Sequence, residues 1–137
     1  MNAKGFIDTC VLIYAFVEDE PRQRKALDVM AGGGTISVQV LNEFANICRK
    51  KLRMDWKETV DALAAVGALC SGPVPLTLKI HRAGIRIAQH NGLSVYDGMI
   101  VAAAVDADCT ILYTEDLQHG QMIEGLRVEN PFQSASD

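Results

Sequence analysis

The chain has 137 residues, 49% of them hydrophobic, and a formal net charge of −4. That length suits one domain with a real core, and that hydrophobic content excludes a disordered chain. No apolar run approaches the roughly 18 residues of a membrane helix, and the opening run from Met1 meets Asp8 too soon for a secretory leader, so a cytoplasmic protein without a membrane partner is expected.

Lys4 to Asp8 reads as a short buried strand, and Thr9 to Phe16 continues in a helix-compatible pattern. Glu18 to Pro21 breaks that pattern, and Pro21 suits the first turn of a helix that runs to Ala31 and stops at Gly32-Gly33-Gly34. Thr35 to Val38 is a second strand. Val40, Leu41, Phe44, Ala45, Ile47, Cys48 and Leu52 form a helical stripe. Asp55 and Glu58 make a capping box for a helix that ends near Ser71-Gly72-Pro73. Val74 to Leu76 is a strand candidate. Thr77 caps a helix reaching His90-Asn91-Gly92, and Ser94 caps an apolar helix to about Val105. Cys109 to Thr114 and Arg127 to Glu129 complete the strands. Residues 1–130 form one domain, and 131–137 read as a frayed tail.

Strands alternating with helices imply an α/β fold with a mostly parallel sheet covered on both faces. Such sheets bind ligands beyond the carboxyl ends of their strands. Asp8 and Asp116 each follow a predicted strand, Glu43 lies five residues past the second strand, and Asp97 sits in the first turn of an apolar helix. Each acid has an ordinary reading as well. Asp8 can be an N-cap, Asp97 part of a capping box with Ser94, Asp116 a turn residue, and Glu43 a solvated residue at the border of its stripe. Glu115 is expected to be exposed. Four carboxylates directed to one sheet edge, beside apolar elements, call for a cation. With no histidine or cysteine set, oxygen ligands suit Mg²⁺ or Mn²⁺, ions that polarise a phosphodiester and activate water.

The cysteines at 10, 48, 70 and 109 lack zinc-site spacing and read as small buried residues. Arg49, Lys50, Lys51, Arg53 and Lys57 place five of the 13 basic residues within nine positions. They read either as a helix C-terminus with cations suited to its dipole or as a phosphate track. Val11, Leu12, Tyr14, Phe16 and Val17 exceed what one buried stripe needs, and a partner surface is expected there.

Phe6-Ile7-Asp8-Thr9-Cys10-Val11-Leu12-Ile13-Tyr14, Leu41-Asn42-Glu43-Phe44, Leu93-Ser94-Val95-Tyr96-Asp97 and Thr114-Glu115-Asp116-Leu117 together resemble the four blocks of PIN domains, most nearly the VapC-type toxins of bacterial toxin–antitoxin pairs. The resemblance covers nearly the whole chain. It implies a three-layer α/β/α sandwich and a Mg²⁺- or Mn²⁺-dependent endoribonuclease cutting RNA. Asp8, Glu43, Asp97 and Asp116 become the catalytic, metal-holding quartet, and Thr9 and Thr114 the hydroxyls beside it. A homodimer and a cognate antitoxin that blocks the site are implied too. Cys10 replaces the asparagine or serine often found after the Asp-Thr pair, with little effect expected. Gln118 stands where some relatives carry a further acid, which leaves the number of ions open, and His119 is either a substrate contact or a solvated loop residue. A different class of function is a non-catalytic RNA- or antitoxin-binding module with a vestigial acid site. An aspartyl phosphatase of similar layout is disfavoured: its second acid would stand at Cys10, and Gly32-Gly33-Gly34 lies between a helix and a strand, the wrong order for a phosphate cradle.

Overall fold

In the computed structural model, residues 4–133 are described. The chain runs β1 (Gly5–Ile7), α1 (Thr9–Tyr14), α2 (Arg22–Ala31), β2 (Thr35–Ser37), α3 (Val38–Lys50), α4 (Trp56–Leu69), β3 (Ser71–Val74), α5 (Leu78–Asn91), α6 (Val95–Asp106), β4 (Ile111–Tyr113), β5 (Met122–Ile123) and β6 (Leu126–Glu129). The six-stranded sheet has the order β3-β2-β1-β4-β6-β5. All neighbours pair in parallel except β5 with β6. This is the expected mostly parallel sheet in an α/β/α sandwich.

The order fixes where a site can form. From β1 the chain steps outward to β2 and β3, then returns through α5 and α6 to β4 on the other side of β1. Right-handed crossovers in opposite directions put their helices on opposite faces. Accordingly α2, α1, α3 and α4 pack in succession on one another, and α5 packs on α6. The reversal falls between β1 and β4, where Ile7 pairs with Tyr113. A crevice at that switch point is where open parallel sheets take ligands.

The core is built from Phe6, Ile7, Val11, Leu12, Phe44, Leu112 and Val128, all essentially inaccessible. The helix α6 is apolar on all sides, and Gly98 to Ala104 are buried without interruption. It approaches α5 closely: a Cβ on Gly98 would collide with the Gly84 carbonyl oxygen and the Ala88 side chain. The predicted caps are present, with Thr77 Oγ1 accepting from Ile80 N, Ser94 Oγ from Asp97 N, and Asp55 and Glu58 closing a capping box.

Several expectations need correction. The third strand is Ser71–Val74 instead of Val74 to Leu76. It is an edge strand, where Pro73 costs no ladder bond, and Ser71 N anchors it to the Gly34 carbonyl. The antiparallel hairpin β5–β6 was not foreseen. Its turn residues Glu124 and Gly125 both have positive φ, 52° and 82°, as a two-residue hairpin with right-handed twist requires. Part of the apolar surplus of the first helix is taken up inside the domain: Val11 and Leu12 are wholly buried, Phe16 packs edge-on against Phe44, and Tyr14 against Phe132 at 4.6 Å, while Tyr14, Phe16 and Val17 stay partly exposed. Of the expected tail, Phe132 is thus packed on the body of the domain, while residues 134–137, like 1–3, lie outside the described residues.

Candidate metal centre

Asp8 follows β1 directly and stands at the switch point. Its N–H donates to the Tyr113 carbonyl at 3.0 Å. Its Oδ1 accepts from Thr9 N at 2.7 Å, and its Oδ2 accepts from Thr114 Oγ1 at 2.8 Å. It therefore caps α1, as the ordinary reading held, yet it is only 6% exposed. Burial pushes its carboxyl up to about 7 despite those two hydrogen bonds, and the charges of Asp116 and Asp97 push the same way.

Thr114, at 0% exposure, follows β4 and joins the two strand ends. Its hydroxyl donates to Asp8 and accepts from Asp116 N at 3.1 Å, so Asp116 is positioned through the same atom that holds Asp8. The Asp116 carboxylate is exposed, yet it lies with ligand atoms of Asp8 and Cys10 in a group whose members are all within 4.8 Å. Cys10 Sγ is 3.6 Å from Thr114 Oγ1. Burial and the neighbouring Asp8 push its thiol up to about 12, which leaves it a neutral thiol and a poor ligand for a hard cation. The expectation of a bland cysteine is corrected to this extent: Cys10 belongs to the wall of the acid cluster. Residue spacing alone gave no signal of that.

The other two acids arrive from separate helices. Asp97 is in the first turn of α6, where burial raises its carboxyl, the Ser94 side chain opposes that, and Asp116 adds to it. Glu43, on α3, is partly buried rather than solvated. Burial raises its carboxyl, Gln39 opposes, and Asp97 and Asp116 raise it further. Glu43 Oε2 and Thr9 Oγ1 are buried without a hydrogen-bond partner. Asp116 thus acts on Asp8, Asp97 and Glu43, and Asp97 on Asp8 and Glu43, although of the four only Asp8 and Asp116 belong to the close ligand group, and none takes part in an ion pair among the described residues. A cluster of this kind is costly to leave uncompensated. Its donors are oxygens, and its unpartnered buried atoms are those a hard divalent cation or its water would satisfy.

The neighbours sort differently. Glu115 is partly buried, not exposed, and is directed away from the cluster: burial first, then this carboxylate, pushes the Tyr14 phenol up. His119 is exposed, but its Nδ1 accepts from Asn130 N at 3.0 Å, which commits one ring nitrogen to holding the loop. Arg49 and Lys50 do form the last turn of α3, as the helix-dipole reading held.

The class that these features define is a mostly parallel α/β/α domain with acidic side chains at the point where the strand order reverses. Within it, the PIN domain family model matches residues 5–122, and the chain belongs to that family. Its fold is shared with a toxin–antitoxin complex from Klebsiella pneumoniae, at TM-score 0.73 and 19% identity over 96% of this chain and 100% of that one. It is also similar to VapC20 of Mycobacterium tuberculosis, a sarcin-ricin-loop-cleaving toxin, at TM-score 0.66 and 18% identity over 82% and 90%. DNA-bound VapBC from Salmonella typhimurium matches at TM-score 0.62 and 21% identity over 95% and 99%. No curated protein sequence matches the chain significantly.

Proposed function

We propose that this chain is a VapC-type toxin, an endoribonuclease that hydrolyses RNA phosphodiester bonds with Mg²⁺ or Mn²⁺. What supports the reading is the pairing of Asp8 with Asp116 at the switch point, with Asp97 and Glu43 close enough to feel Asp116 and no ion pair on any of the four among the described residues. Asp8, Asp97 and Asp116 would hold the ion directly or through water, and Glu43 would bind it or orient the attacking water. A divalent ion held there neutralises phosphate charge and makes water more acidic.

The chain's own residues then have distinct roles. Thr114 fixes both Asp8 and Asp116 through one hydroxyl, so the carboxylates are set before substrate arrives. Glu43 would take a proton from water, a role supported by its burial-raised carboxyl and its unpartnered buried oxygen. The reaction is hydrolysis: water oxygen bonds to phosphorus as the bond to the leaving oxygen breaks, and a solvent proton goes to that oxygen.

The partners follow from the same reading. A cognate antitoxin is proposed because toxin–antitoxin assemblies share this fold, and a homodimer because exposed apolar side chains such as Val60, Leu69 and Leu78 remain on the isolated chain. No helix among the described residues is long and apolar enough to cross a membrane, and the cytoplasm is the proposed location. The test is cleavage of cellular RNA with Mn²⁺, with EDTA, and by Asp8→Asn. Cleavage only by the wild type with metal is expected; cleavage undiminished by EDTA or by the substitution contradicts the reading.

A further inference from the structure

The corner where α3 turns into α4 carries a basic and aromatic surface that the acid site does not use. Trp56 opens α4 with 67% of its surface exposed, the highest of the large hydrophobic residues described. The Arg49 guanidinium stacks 4.1 Å from its ring centroid and donates to the Met54 carbonyl at 2.8 Å. The indole is thus held in one pose with its outer surface open. Lys50, Lys51 and Arg53 are exposed in the same turn, and none is in an ion pair among the described residues.

This corner is continuous with the acids. One concavity of about 360 Å³ lies between Asn42, Glu43, Asn46 and Tyr96. A second, of about 450 Å³, lies between Asn46, Arg49, Lys50 and Trp56. Asn46 borders both. Positions 43, 46 and 50 are spaced three and four apart, so they share one face of α3. Glu43 and Lys50 are seven positions apart, about 10 Å along the helix.

We propose that this strip is a binding track for single-stranded RNA. A base further along the strand from the cut stacks on Trp56, Asn46 meets a polar edge of the chain between, and Lys50 and Lys51 hold the phosphates. The inference rests on the nuclease reading and adds the strand's path to it. Exposed Trp and Arg also mark protein interfaces, but a protein partner would have to cover three unpaired cations beside the indole. A polyanion neutralises them. With a net charge of −4, the molecule as a whole does not attract RNA, so attraction must come from a local strip of this kind.

Trp56 is the single tryptophan of the chain, so its fluorescence reports from this spot alone. The experiment titrates the full chain, held inactive in EDTA, with single-stranded oligouridylate and oligoadenylate, and measures cleavage of the same RNAs with Mn²⁺ in parallel. Saturable quenching is expected. Trp56→Ala, followed by a labelled oligonucleotide, binds roughly tenfold or more weakly, and Trp56→Phe recovers most of the loss. A Lys50→Glu, Lys51→Glu double variant flattens the salt dependence of binding. Cleavage without quenching, and with Trp56→Ala binding as wild type, overturns the track and leaves the nuclease reading intact. Quenching without cleavage supports the track and removes the nuclease reading. Fluorescence that changes with protein concentration but not with RNA assigns the corner to self-association and overturns the inference.

Discussion

The starts of α1 and α4 are capped by the same residue type in opposite surroundings. Asp55 is exposed and reciprocated: it accepts from Glu58 N at 2.7 Å while Glu58 returns a bond to Asp55 N at 3.0 Å. Asp8 is buried, caps Thr9 N, and has Asp116 and Asp97 as charged neighbours with no cation. Capping and function are therefore not rivals at Asp8. The backbone of α1 claims one oxygen and the Thr114 hydroxyl the other, yet the carboxyl stays buried beside Asp116 and Asp97 with no ion-pair partner among the described residues. Local pattern identifies a cap; only burial and charge balance separate an ordinary cap from a site residue.

The comparison is broken most severely at Asp8. Asp8→Asn is expected to lower RNA cleavage by on the order of 10³-fold, because transition-state charge stabilisation worth several kcal/mol is lost. The same substitution is expected to raise the melting temperature of the metal-free protein at pH 8 by several degrees. The reason is the direction of the shift. Burial pushes the folded carboxyl up to about 7 from its ordinary 3.8. Between those values the folded state holds a proton that the unfolded chain has released, so stability from this group is full at low pH and is lost as pH rises through 7. Thermal melts in EDTA from pH 4 to 8 should show this loss in the wild type and not in Asp8→Asn.

Thr114→Val removes the hydroxyl that joins Asp8 to Asp116. About 10- to 100-fold weaker metal binding is expected, measured by Mn²⁺ titration, with the fold retained. Gly98→Ala presses a methyl group toward the Gly84 carbonyl and Ala88 and should cost about 1–3 kcal/mol in urea unfolding. Asp55→Ala is the control at the other cap. It should cost about 1 kcal/mol of stability and leave cleavage per folded molecule unchanged. A loss of cleavage there as large as at Asp8 would erase the distinction between the two caps.

Much of this was legible because the signals are local. Ser94, Thr77 and the Asp55–Glu58 pair announce helix starts within four residues, and the uninterrupted apolar run after Asp97 announces a buried helix. The parallel sheet followed from alternation, and the nearness of Asp8 to Asp116 from their places after neighbouring parallel strands. The hairpin at Met122–Glu129 was hidden because Glu124-Gly125 replaces the usual Asn-Gly or Asp-Gly signal. Cys10 in the acid wall, Phe132 against Tyr14 and Arg49 over Trp56 are contacts between elements, and no spacing along the chain encodes them. Val11 and Leu12 of the first helix face the core through packing on other helices, which periodicity over six residues cannot reveal.

The central claim is that the four acids form a site for a divalent cation. The most direct measurement is the melting temperature of the full chain at pH 7.5 with increasing Mn²⁺, wild type beside Asp8→Asn and Asp97→Asn. The wild type should gain stability with a saturable dependence on Mn²⁺, and both variants should gain little. A wild type that melts at the same temperature with and without Mn²⁺ would contradict the account.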